Sequence, residues 1–157
     1  MNKVNTQMVE AIKNGKRFHL AETDLIIIGN DWVYKHCGMS IAEGKVGNPI
    51  AIRFRMEPGK MIASRLQALG VDVKVKGPYN FLSINGKYLI ENMVYEFDGS
   101  KWVITDTNDT HLWDNVRYRG PGPYSFMKVV EKDGELVPYI LTPTTTNHKP
   151  GEIIVVF

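Results

Sequence analysis

Three short turn signals constrain the fold of this chain more than any other feature. Asn85-Gly86 separates "NFLSI" from "KYLI", Asp98-Gly99-Ser100 separates "VYEF" from "KWVIT", and Asp133-Gly134 separates "MKVVEK" from "ELVPYILT". Glycine, asparagine and aspartate reach positive φ at low steric cost, and tight hairpin turns require positive φ. The second half of the chain is therefore expected to be antiparallel sheet built from hairpins. Pro138 lies inside the last of these strands and predicts an edge position, where its missing N–H does no harm.

The first half reads differently. Val4, Met8 and Ile12 recur every four residues, which predicts a helix over 5–14, with Asn5 at its start and Gly15 at its end. A second helix is expected from about Gly59 to Leu69, with Ile62, Leu66 and Leu69 as its apolar stripe and Gly70 as its stop. Short strands are expected at Phe18–Leu20, Leu25–Ile28 and Trp32–His36. In 49–56, the alternation of Ile50, Ile52, Phe54 and Met56 with Ala51, Arg53 and Arg55 predicts a half-buried strand. Val71–Lys76 alternates in the same way. Gly38–Asn48 contains three glycines and reads as a loop, as do 106–124 and 142–151. The terminal "EIIVVF" reads as a strand buried on both faces or paired with a neighbour. The fold class is α+β: mainly antiparallel sheet, with two short helices in the N-terminal half and a single domain over 1–157.

At 157 residues the chain has the size of one ordinary domain, large enough to fold without disulfides or metal. A lone cysteine suits a reducing compartment. The longest apolar runs fall well short of the roughly 20 residues a membrane helix needs, and residues 1–16 lack the pattern of a secretory signal. A cytoplasmic protein with no membrane contact is the expectation. The charge is uneven: residues 45–88 sum to +6 and residues 89–115 to −5, within a net charge of +2. Such segregation can dock one copy to another, or to a partner, or can cancel within the fold.

Catalytic signatures are sparse. In "WVYKHCGMS", Cys37 follows His36, but on a strand adjacent side chains point to opposite faces. A base for the thiol would have to be His111 or His148, oriented by Asn147 or Asp114. The simpler expectation is a small buried apolar residue. The four histidines have no metal-ligand spacing. The loop "DTNDTH" offers Asp106, Asn108 and Thr110 at alternate positions, as a calcium loop does, but has Arg117 where the closing glutamate should stand. No phosphate-loop or nucleophile-elbow motif occurs, and no cofactor or metal is implied. The most specific polar pattern is a repeated triplet, Arg53-Phe54-Arg55 and Arg117-Tyr118-Arg119. On a strand each arginine pair shares a face about 7 Å apart, a spacing that can straddle phosphates or carboxylates. With Lys74 and Lys76 these residues form a candidate polyanion site, outward-facing together. The aromatic residues, however, fall on the opposite face from the cations.

Three function classes follow. The first is a non-enzymatic structural or accessory subunit that acts through protein–protein contacts, as a homo-oligomer or with another protein, with a viral or phage particle as one setting. It rests on the missing catalytic motifs, the apolar terminal strand and the charge segregation; the hairpin "YEFDGSKWV" is of a kind common in structural proteins. The second is a nucleic-acid or polyanion-binding module that uses Arg53, Arg55, Lys74, Lys76, Arg117 and Arg119. The third is a cysteine-dependent enzyme built on Cys37.

Overall fold

The computed structural model describes residues 2–77, 80–89, 93–105, 110–113, 127–132 and 135–140. Helix α1 (Lys3–Lys13) opens the chain. Then come β1 (Phe18–Leu20), β2 (Thr23–Ile28), β3 (Asp31–His36), β4 (Met39–Lys45) and β5 (Arg53–Arg55). Helix α2 (Lys60–Ala68) precedes β6 (Lys74–Lys76), β7 (Phe81–Ile84), β8 (Lys87–Tyr88), β9 (Val94–Phe97) and β10 (Trp102–Ile104). A 3-10 turn at His111–Trp113 and the hairpin of β11 (Met127–Lys132) and β12 (Glu135–Ile140) follow. The fold is α+β, with a seven-stranded antiparallel sheet in the order β1-β2-β3-β4-β5-β9-β10. The strands β6-β7-β8 form a separate three-stranded sheet, and among the described residues β11 pairs only with β12. Among the described residues Pro138 therefore lies in a two-stranded ribbon, opposite Val129.

The register of the large sheet aligns its core. Leu25, Tyr34, Ala42, Phe54 and Tyr95 stand opposite one another across β2, β3, β4, β5 and β9. Both helices cover this face: Met8 and Ile12 of α1, and Ile62 and Leu66 of α2, belong to the same buried cluster. Each of these side chains contributes about 1.5–3 kcal/mol by leaving water. A polar tie fixes the two helices to the sheet. Asn5 donates to Ser64 Oγ at 3.0 Å and accepts from Arg65 Nη1 at 2.8 Å, while Arg65 Nε donates to Thr23 Oγ1 at 3.1 Å. Asn5 is therefore an interior residue rather than the helix cap. Asn2 caps α1 instead, its Oδ1 accepting from the Asn5 N–H at 2.8 Å.

The region read as a glycine loop, 38–48, is mostly strand. β4 occupies Met39–Lys45, and Met39 to Gly44 are all buried. Cys37 and Gly38 alone join β3 to β4, with φ of 49° and 81°, the pattern of a type I′ turn. The strand expected over 49–56 is shorter, Arg53–Arg55. Before it, the backbone bonds elsewhere: the Ala51 N–H donates to Leu69 O, at the end of α2, at 2.8 Å. Likewise Val71 turns back to cap α2 through Leu66 O at 2.9 Å, so β6 begins only at Lys74. Residues 106–109, 114–126 and 141–157, which hold most of the two expected loops and "EIIVVF", lie outside the described residues.

One core residue has an energetic defect. Tyr34 is fully buried, and its hydroxyl has no hydrogen-bond partner among the described residues. Burial raises its pKa well above the ordinary phenol value; nearby Arg65 opposes this, and Glu22 and Cys37 add to it. A folded-state pKa above the unfolded value of about 10 means stability that is complete below that pH and lost as pH rises beyond it. Tyr34→Phe should raise stability by about 1 kcal/mol near neutrality, because no hydrogen bond is lost with the hydroxyl. It should also flatten the alkaline loss, and urea midpoints at about pH 7 and about pH 11 check both effects.

Candidate functional site

Arg53 and Arg55 do alternate with Phe54, but the face they share is not solvent. β5 sits between β4 and β9, and the 3-10 turn at His111–Trp113 packs across β4 on the side opposite the helices. Arg53, 22% exposed, spans two carboxylates: Nη1 to Glu43 Oε1 at 3.1 Å and Nη2 to Glu96 Oε1 at 3.0 Å. Glu43 also accepts from Thr110 Oγ1 at 2.7 Å and from the His111 N–H at 3.0 Å, and so anchors the turn to the sheet. Arg55 is only 1% exposed, as is Glu57, which it meets at 2.8 Å. Arg55 Nη1 donates to Leu112 O at 3.2 Å. The expectation that both arginines face outward is thus corrected: the 3-10 turn covers this face at β4 and at Arg55, and the charge of both arginines is matched internally.

The remaining basic candidates are apart from these. Lys74 and Lys76 lie on β6, in the three-stranded sheet and not in the sheet of β5. Lys74 is exposed, whereas Lys76 Nζ donates to Gly86 O at 3.3 Å and lies 5.1 Å from the centre of the Tyr88 ring. Arg117 and Arg119 lie outside the described residues.

Cys37 is exposed, not buried, because it occupies a surface hairpin turn. His111 is no base for it. Its Nε2 lies 3.4 Å from Asp31 Oδ2, at the far end of β3 from Cys37. At about 3.3 Å per residue, that separation is on the order of 20 Å. His148, Asn147 and Asp114 lie outside the described residues. Asp31 also meets Lys45 Nζ at 2.6 Å. That hydrogen bond holds the carboxyl below its usual range; partial burial opposes the shift and His111 reinforces it. Of the "DTNDTH" segment, whose likeness to a calcium loop is only partial, Asp106 and Asn108 lie outside the described residues, and Thr110 is committed to Glu43. Among the described residues no group of three or more histidine, cysteine, aspartate or glutamate side chains could hold a metal. No helix among them is long and apolar enough to cross a membrane.

A shallow cleft of about 290 Å³ is lined by Asn2, Asn5, Ser64, Gln67 and Ala68. Its polar groups are already engaged: Asn2 and Asn5 as described, and Gln67 Nε2 donating to Val73 O at 2.8 Å. It offers a ligand little that the protein does not already use.

What the sequence reading missed lies at the β9–β10 end of the large sheet. Phe97 is 46% exposed, beside the partly exposed Ile52 and Trp102. The Phe97 N–H donates to Ile52 O at 3.1 Å, and Trp102 stands opposite Phe97 across the hairpin. The Phe97 and Trp102 rings are 5.3 Å apart, and Trp102 meets the buried Phe54 edge-on at 4.9 Å. An aromatic row therefore runs from the core to the surface, rigidly held at its inner end. Asp98 braces the turn, accepting from the Ser100 and Lys101 N–H groups at 2.8 and 2.9 Å, and these bonds keep its carboxyl pKa low. The available signal was the placing of Phe97 and Trp102 on either side of Asp98-Gly99-Ser100, which makes them cross-strand neighbours.

Among the described residues β10 has a neighbour on one side only. Asp98 N donates to Lys101 O and Thr105 N to Val94 O, both at 2.9 Å, so residues 101, 103 and 105 bond toward β9. The N–H and C=O of Trp102 and Ile104 consequently point to the outer edge. No family model, curated protein or solved structure matches the chain.

Proposed function

We propose that this chain is a non-enzymatic accessory subunit that works by binding another protein chain through the β9–β10 end of its large sheet. The observation that carries this reading is the exposed Phe97 and partly exposed Trp102 beside the outer edge of β10, which has no strand partner among the described residues. Large aromatic side chains anchored from behind are the usual anchors of protein interfaces, because little conformational entropy is lost when they are covered. An edge strand adds backbone hydrogen bonds to such an anchor. The charged clusters give no comparable support to catalysis or polyanion binding, since Arg53 and Arg55 are matched by Glu43, Glu96 and Glu57.

A photo-crosslinking side chain placed at Phe97 tests the proposal in the source cells. The expected result is a discrete crosslinked product from position 97 and none from the exposed hairpin turn at Asn85. Equal, diffuse labelling from both positions, or none from 97, would overturn the reading.

A further inference from the structure

The edge of β10 also suggests what occupies it. Resting on the reading above, we infer that the partner is a second copy of this chain, paired antiparallel through β10 about a twofold axis at Val103. Three observations lead there.

First, among the described residues nothing pairs with the outer edge of β10, and shortness, at three residues, is the one usual protection the strand itself shows. Trp102, Val103 and Ile104 include no charge and no proline, and the strand ends in ordinary ladder geometry with β9. Such an edge is a template for another strand.

Second, only one twofold register uses all of its outward groups. Trp102 and Ile104 carry the N–H and C=O groups that point outward and have no strand partner among the described residues. Centring the axis on Val103 sets Trp102 of each copy opposite Ile104 of the other, so that both residues exchange both bonds. Centring on Trp102 or on Ile104 would instead leave part of the strand facing turn residues or residues beyond the strand.

Third, the same register brings opposite charges together. It places Lys101 of one copy opposite Thr105 of the other. The Thr105 hydroxyl donates to Glu96 Oε2 at 3.0 Å, and Glu96 is 37% exposed there. Lys101 is exposed and can reach that carboxylate across the axis. The two like residues that do meet, Val103 and its symmetry mate, are uncharged. An isologous contact needs this self-complementarity, since one patch must serve both sides. The product is one continuous sheet through two copies, with the Phe97–Trp102 pairs flanking the seam.

Light scattering of the purified chain tests this. The wild type should have twice the 17.8 kDa chain mass at high concentration and should dissociate on dilution. Val103→Lys and Val103→Glu each put like charges face to face and should weaken dimerisation about a hundredfold or more. Mixing the two variants should restore the dimer, which misfolding could not do. Lys101→Glu, an exposed substitution that leaves the strand unchanged, should raise the dimer dissociation constant about tenfold. A wild type that stays monomeric at every concentration would overturn the inference, as would dimers indifferent both to the Val103 charges and to Lys101→Glu. A crosslink from position 97 to a different protein only would sink the second-copy inference and leave the proposed contact function standing. Loss of every specific crosslink would sink both.

Discussion

Arg55→Met is expected to destabilise the protein by about 3–5 kcal/mol, although it replaces a charged side chain with an apolar one of similar length. Arg55 and Glu57 are each 1% exposed and 2.8 Å apart, so the charge of each is held out of water by the other. Removing the guanidinium takes the Arg55 cation away from a carboxylate in a nearly dry site. It also takes the donor from Leu112 O, 3.2 Å away, and so loosens the turn that covers β4. Arg55→Lys should rescue little, because one ammonium cannot reproduce the planar fork that reaches Glu57 and Leu112 together. Arg55→Met with Glu57→Leu should recover much of the loss, since removing both charges removes the desolvation cost. Arg53→Met should cost less, as Arg53 is 22% and Glu96 37% exposed, and the nearly buried Glu43 keeps the Thr110 hydroxyl and His111 N–H as donors. Urea denaturation of the four variants reads these differences, and a loss below about 1 kcal/mol for Arg55→Met would show that the pair is not dry.

That contrast between neighbouring arginines marks how far the sequence could be read. Alternation correctly set Phe54 against Arg53 and Arg55, because a pleated strand permits nothing else. It could not say what lay over the polar face. The cover comes from Thr110, His111 and Leu112, more than 50 positions along the chain, and no local pattern announces it. The hairpins at Asn85-Gly86 and Asp98-Gly99-Ser100 were legible because those residues state their backbone angles outright. The Cys37-Gly38 hairpin was not. Cysteine rarely adopts positive φ, so the same turn carried no signal at its first position. With that turn unread, β4 vanished into an apparent glycine loop, although its glycines serve unlike purposes: Gly38 and Gly47 have positive φ, whereas Gly44 sits within the strand. The aromatic pair of the candidate docking surface was visible as residues flanking a turn. Its exposure was not, since exposure depends on how far the helices extend over the sheet.

Gly44 accounts for the other large expected effect. It faces Trp32 across β3 and β4, and the indole lies directly over it. A Cβ at position 44 would stand 2.5 Å from Trp32 Cζ2 and 2.8 Å from Nε1, closer than packed atoms allow. The ring has little room to give way. Trp32 is fully buried, and its Nε1–H donates to Asn48 O at 2.8 Å. Gly44→Ala should therefore cost about 3 kcal/mol by overpacking, even though alanine normally suits a strand better than glycine. Gly29→Ala is the control: φ there is +60° and nothing lies within 4 Å of the added carbon, so only backbone strain of about 1–2 kcal/mol applies. Trp32→Phe alone should also destabilise, by losing buried area and the bond to Asn48. Combined with Gly44→Ala it should cost clearly less than the two single losses added, because the smaller ring makes room for the methyl group. Additivity within about 0.5 kcal/mol in that double-mutant cycle would mean that the indole does not rest on Gly44.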